Sequence, residues 1–138
     1  MSSQVTVAEE PVEPALAEVR ELLVRTRTYD ISLDRLRWMY LANPDGPAVL
    51  WTVRQEGELQ GFTACLPRRM RVNGQPLRAW IGADFSMDPR QRTLGPAALL
   101  RRQARLGIEA GRADFLYAHP NERMALVHRR VGHQALGT

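Results

Sequence analysis

The stretch "FSMDPRQRTLGPAALLRR", residues 85–102, decides how the rest of the chain is read. It begins as an apolar run, turns through Asp88-Pro89, passes Arg90 and Arg92, and enters a helix-like run through Leu94-Gly95-Pro96-Ala97. Proline in the first turn of a helix gives up an amide that would have no partner there anyway. Gly95 and Ala97 carry little side chain, so the backbone can come close to a ligand. The first-turn amides also present the positive end of the helix dipole. A strand, a loop and a helix is one account of the stretch; a phosphate cradle at a helix N-terminus is the sharper one. A short glycine motif is weak alone, so its position and neighbours have to carry it.

Upstream, "AVLWTVRQEGELQGFTACLPRRMRVNGQPLRAWIGADFSM" predicts three strands over 48–54, 59–71 and 77–87. Gly57 marks the first turn and Asn73-Gly74 the second, the latter a strong hairpin signal. Pro67 inside the middle strand points to a bulge or a sheet edge. Further upstream, Ser32 can cap a helix whose apolar face is Leu33, Leu36, Met39 and Tyr40, and "NPDGP" then breaks the chain. Before it, Leu16, Val19, Leu22 and Leu23 recur at helical spacing. The acidic, proline-containing residues 1–14 read as a flexible leader. Downstream of the opening stretch, 97–110 is helical and stopped by Gly111. "ADFLYAHP" is a fourth strand, and 121–130 is a short helix with Gly132 just past its end. The order is α-α-β-β-β-α-β-α, a single α/β domain with a mixed sheet over 15–138. A strand, crossover helix and strand form a right-handed parallel unit, and in such sheets ligands sit at the carboxyl ends of the strands. Residues 85–102 lie at such an end.

Composition narrows the function classes. A chain of 138 residues with 44% hydrophobic and 25% charged residues is one ordinary globular domain. All 19 basic residues are arginine, and they are scattered rather than clustered. A net charge of +4 without a helix-turn-helix, zinc-finger or aromatic-basic pattern does not make a nucleic-acid site. One cysteine, Cys65, lies in the apolar run "GFTACL" and reads as a core residue. Three histidines and one cysteine at no recognisable spacing offer no metal site. No apolar run reaches the roughly 20 residues of a membrane span, and the N-terminus lacks a secretory pattern, so the expected location is cytoplasmic. Trp38, Trp51 and Trp80 read as core, although Trp80 shares a strand with Asp84 and could line an acceptor groove. Arg68, Arg69 and Arg71 read as a solvated face, and His119 and His133 as surface or helix-end residues.

The motifs together resemble a known family. "MDPRQRTLGPAALLRR" resembles the acyl-CoA-binding loop of the GCN5-related N-acetyltransferase (GNAT) superfamily, with its Q/RxxGxG/A pattern at Arg92, Thr93, Leu94, Gly95, Pro96 and Ala97. "HPNERMALVHRRVGH" resembles the family's following strand and helix, with Asn121 opening the helix. His128 stands where a tyrosine is usual, and Gly132-His133 where Gly-Phe is usual. "RWMYLANPDGPAVLWTV" resembles a branch in which W, Y and NPxG precede the first strand pair.

The resemblance implies acyl transfer from acetyl-CoA, or another acyl-CoA, to an amine of a small molecule or peptide. The amides of residues 92–97 would hold the CoA pyrophosphate. The main chain of Phe85, Ser86 and Met87 would line the pantetheine arm, and Asn121 would touch it. Asp84 is the candidate base, directly or through water, and His128 the candidate acid. Because the usual acid is replaced, a CoA-binding domain without turnover, serving regulation or assembly, is the alternative. In this superfamily two further strands follow the last helix, whereas this sequence stops at "QALGT". The resemblance therefore implies that a C-terminal segment or a second copy covers the last strand. In a homodimer, residues 133–138 or the leader would lie against the partner.

Overall fold

The computed structural model describes residues 5–26, 30–91, 94–119 and 122–136. Its elements are β1 (Val5–Glu10), α1 (Val12–Thr26), α2 (Leu33–Leu41), β2 (Val49–Gln55), β3 (Glu58–Val72), β4 (Gln75–Met87), α3 (Leu94–Glu109), β5 (Phe115–Ala118) and α4 (Glu122–Arg130). They form one five-stranded sheet in the order β1-β2-β3-β4-β5. The first three pairings are antiparallel, and β4 and β5 are parallel. This is the mixed α/β sheet that the sequence predicts, with one strand more.

The extra strand is β1, in the residues expected to be a flexible leader. It pairs from Val5 opposite Gln55 to Glu10 opposite Leu50. Its acidic residues suggested solvent but instead find cations on neighbouring elements. Arg54 donates from Nε to Glu10 at 2.7 Å and from Nη1 to Glu18 of α1 at 2.9 Å, and Arg112 donates to Glu9 at 2.6 Å. The Thr52 hydroxyl also bonds Glu10. The pairing of 5–10 within its own chain removes that segment as a cover for a partner's edge.

Local chemistry explains the remaining boundaries. Ser32 caps α2 by accepting from the Arg35 amide at 3.1 Å. Both hairpins turn through consecutive residues with positive φ, Glu56 and Gly57, then Asn73 and Gly74, the geometry that matches the twist of the flanking strands. Beyond Cys65, paired with Val49 at the end of β2, β3 has only β4 beside it among the described residues, and Pro67 sits on that edge stretch. The bulges lie elsewhere, at Gln60 and opposite Ala64.

The sheet separates two cores. Leu16, Val19, Leu22 and Leu23 of α1 and Leu36 and Tyr40 of α2 pack on Leu50, Phe62 and Ala64. On the other face, Leu100 and Ala104 of α3 pack on Trp51, Val53, Cys65 and Trp80. Neighbouring strand residues thus alternate between the two layers. Trp51 and Trp80 meet edge to face at 5.7 Å, and a Cβ on Gly107 would stand 2.6 Å from the Trp80 ring. Trp80 is therefore core beneath α3 and lines no groove. Trp38, by contrast, is 66% exposed on α2.

Candidate functional site

The decisive irregularity is in β4. Thr63 pairs with Phe85 and Cys65 with Gly82, so Ala83 and Asp84 together stand opposite Ala64 alone. One extra residue shifts the alternation of everything beyond it. Before the bulge, Trp80 faces α3, as does Gly82, whose added Cβ would meet Arg101. After it, Phe85 and Met87 face α3, while Asp84 and Ser86 face α2 and α1. The same bulge bends β4 away from its neighbour. Pairing between β4 and β5 runs from Ala79 with Phe115 only to Gly82 with Ala118. From Ala83 to Met87, β4 has no strand on that side among the described residues. Pairing thus stops at Gly82 and Ala118, the apex of a V whose described arm is β4 from Ala83 to Met87.

The mouth of the V lies at the carboxyl end of β4. There the Asp88 amide donates to the Gln60 carbonyl at 2.6 Å. The Asp88 carboxylate accepts from the Arg90 amide at 3.0 Å and from Arg25 Nη2 at 3.3 Å. The Arg90 side chain and amide hold that carboxyl below its usual range. This knot fixes the short 3-10 turn Pro89–Gln91, after which α3 begins at Leu94. Gly95 is exposed, with nothing within 4 Å of where a Cβ would stand. Pro96 is half-buried and Ala97 buried. Arg92, Thr93 and Asn121, named from the sequence, lie outside the described residues, and for Leu94 only the backbone is described.

Asp84 is half-buried on the α2 side of the V, where it accepts a hydrogen bond from the Tyr40 hydroxyl. The Thr63 hydroxyl binds its carbonyl at 3.2 Å. Ser86 is buried, with its hydroxyl 3.4 Å from that of Thr26. The sequence pattern therefore places Asp84, Phe85, Ser86 and Met87 along one strand edge.

His128 departs from the expectation. It is 4% exposed, packed edge to face against His133 at 4.6 Å. Burial, with Arg101 and His133 nearby, pushes its pKa down to about 4. At neutral pH the imidazole is thus held largely in its neutral form. Cys65 is buried and its thiol is pushed up to about 11, chiefly by burial, which is the environment of an inert thiol.

Two site residues were not foreseen. Tyr40 was counted as a core residue, yet its hydroxyl reaches Asp84. Arg101 is only 2% exposed on α3. A signal for it exists in the sequence, since it falls between Ala97 and Ala104 on the stripe that packs inward.

No family model and no curated protein sequence matches the chain. Solved structures do. A glucosamine-6-phosphate N-acetyltransferase from Arabidopsis thaliana superposes with a TM-score of 0.75 at 12% identity, over 98% of this chain and 95% of that one. A ribosomal-protein-alanine N-acetyltransferase from Brucella melitensis biovar Abortus gives 0.72 at 18% identity, over 98% and 95%. An aminoglycoside N-acetyltransferase in complex with CoA gives 0.71 at 18% identity, over 100% and 93%. With its bulged β4, parallel β5 and intervening α3, the chain has the fold of the GCN5-related N-acetyltransferase superfamily.

Proposed function

We propose that this protein binds acetyl-CoA, or another acyl-CoA, and transfers the acyl group to an amine of a small molecule or peptide. The observation that carries the proposal is the V between β4 and β5, with the first turn of α3 at its mouth and a carboxylate on one wall. The residues fit such a donor. The main chain along Phe85, Ser86 and Met87 suits an extended amide-bearing arm, as an added strand would. The start of the 16-residue α3 suits a pyrophosphate, with the amides of residues 92–97, Pro96 excepted, as its donors. By the family resemblance, Asn121 would touch the same arm. The donor supplies an activated thioester. Asp84, oriented by Tyr40, would take the proton of the attacking amine at its carboxylate oxygen. The similar structures support this reading, because they are N-acetyltransferases of a sugar phosphate, an aminoglycoside and a ribosomal protein, one of them holding CoA.

A CoA titration followed by thermal unfolding tests the donor, since a ligand bound only to the folded state raises Tm by mass action. Gly95→Asp, which adds bulk and negative charge at the mouth, should abolish the rise. Asp84→Asn should keep it while lowering turnover about 10²-fold or more. An unmoved melting curve at millimolar CoA would defeat the proposal. A rise in Tm without turnover on any amine would favour the second reading, a CoA-binding domain with a regulatory or assembly role, to which the neutral state of His128 lends weight. Among the described residues the outer edge of β5 carries no strand, and we assign that edge to a second copy of the chain, in a cytoplasmic homodimer.

A further inference from the structure

We propose that Arg101 is a catalytic residue that holds the departing CoA thiolate, in place of a proton-donating acid. The proposal rests on the acyl-CoA reading above. Its starting point is a buried cation whose donors are not all paired. Arg101 is 2% exposed, and its Nε and Nη1 have no hydrogen-bond partner among the described residues. Leaving such charged donors unpaired in the interior is costly, because they lose water without gaining a partner. A fold that keeps them there is suited to a negative charge arriving from outside.

The surroundings say where that charge would arrive. Nη1 stands 2.9 Å from the position of a Cβ on Gly82, and the guanidinium carbon lies 5.8 Å from the centre of the Phe85 ring. The cation therefore sits at the apex of the V. Ala118 closes the same spot, 3.3 Å from that Cβ position. Arg101 is seven residues into α3, about 10 Å down a helix that runs back along β4. A chain entering at the helix N-terminus and lying along β4 from Met87 to Ala83 ends at this apex after about 15 Å. What arrives there is the reactive end of the donor.

The groups around the guanidinium leave its Nε and Nη1 without a hydrogen bond among the described residues. From β3 comes the Cys65 thiol, a hydrogen-bond neighbour of the guanidinium that is kept un-ionised chiefly by burial. From α4 and the residues after it come His128 and His133, both held below their ordinary range by burial and by Arg101 itself. Asp84 interacts with Arg101 through charge, but its side chain lies on the opposite face of the sheet, bonded to Tyr40. The chemistry then balances without an acid. The amine nitrogen bonds to the acyl carbon and gives its proton to Asp84, while the carbon–sulfur bond breaks with its electron pair on sulfur. Arg101 keeps its own proton throughout, and the thiolate is protonated by solvent after release. A thiol is acidic enough for this, because an opposite charge within about 4–6 Å lowers a pKa by 1–3 units.

The test needs no acceptor substrate. The thiol of CoA bound to the intact protein is titrated by the ultraviolet absorbance of its thiolate, with CoA lacking the sulfur as the blank that cancels Cys65. The expected result is titration about 1–3 units below free CoA. Arg101→Met should bind CoA, as read by the rise in Tm, with the thiol back at its free value. Arg101→Lys, which keeps a cation, should retain part of the shift. CoA that binds with an unshifted thiol in the wild type overturns the assignment of Arg101 and leaves the acyl-CoA reading standing, even if the variants fail to fold. A shift that survives in Arg101→Met overturns it as well. Absence of any CoA binding removes both together.

Discussion

Burial beside Arg101 and His133 brings the His128 imidazole down to about 4, from an ordinary value near 6.5. A base whose pKa is lower in the folded chain binds its proton more readily when unfolded. Its neutral form is therefore fully stabilising above the unfolded pKa, and stability falls as pH drops from about 6.5 toward 4. His133 is shifted in the same direction and adds to the slope. Denaturant unfolding between pH 4 and 7 should show this loss, up to a few kcal/mol, and His128→Gln should flatten it. An unchanged slope in the variant would mean that other groups set it. At this scale legibility divided by partner. Asp84 was nameable from its place near the end of a strand, because position along the chain is enough for that. The hydroxyl that holds it comes from Tyr40, 44 residues away, and no local pattern announces such a pairing. Arg101 interrupts an apolar stripe, which the sequence displays, but whether such an arginine reaches solvent or stays buried depends on what packs over it.

Among the elements, the signals with a local cause were readable. Ser32, Asn73-Gly74 and Gly111 each do one conformational job in place, so α2, the β3–β4 hairpin and the end of α3 fall where the sequence puts them. β1 and the β4 bulge were not readable, since both depend on a distant strand: on Arg54 and Thr52 for β1, and on the register against β3 for the bulge. The packing of α3 on the sheet allows a direct check. Gly107→Ala gains up to about 1 kcal/mol of helix propensity. It also drives a methyl to 2.6 Å from the Trp80 ring, where overpacking costs about 1–3 kcal/mol. The second effect is the larger, so the variant should melt several degrees lower with its helical content intact. A rise in Tm would show that Trp80 yields without strain.

For the whole molecule, the sheet has two outer strands among the described residues, and they differ. β1 is fastened from both sides, through Arg54 to α1 and through Glu9 to Arg112, whereas the outer edge of the four-residue β5 shows no such ion pairs among the described residues. If a second copy covers β5, light scattering at micromolar concentration should report a dimer, and cross-links or exchange protection should fall on Phe115–Ala118. A monomer, or a dimer joined elsewhere, would defeat that assignment. The bulge in β4 has a last consequence, in the currency of chain length. Because Ala83 and Asp84 share the place of one residue, removing Ala83 would leave Asp84 still toward α2 and Phe85 still toward α3, with both cores unchanged. A gene one codon shorter would thus encode the same fold with a straight β4. The bend beside the apex would be removed by a deletion that alters no surviving side chain.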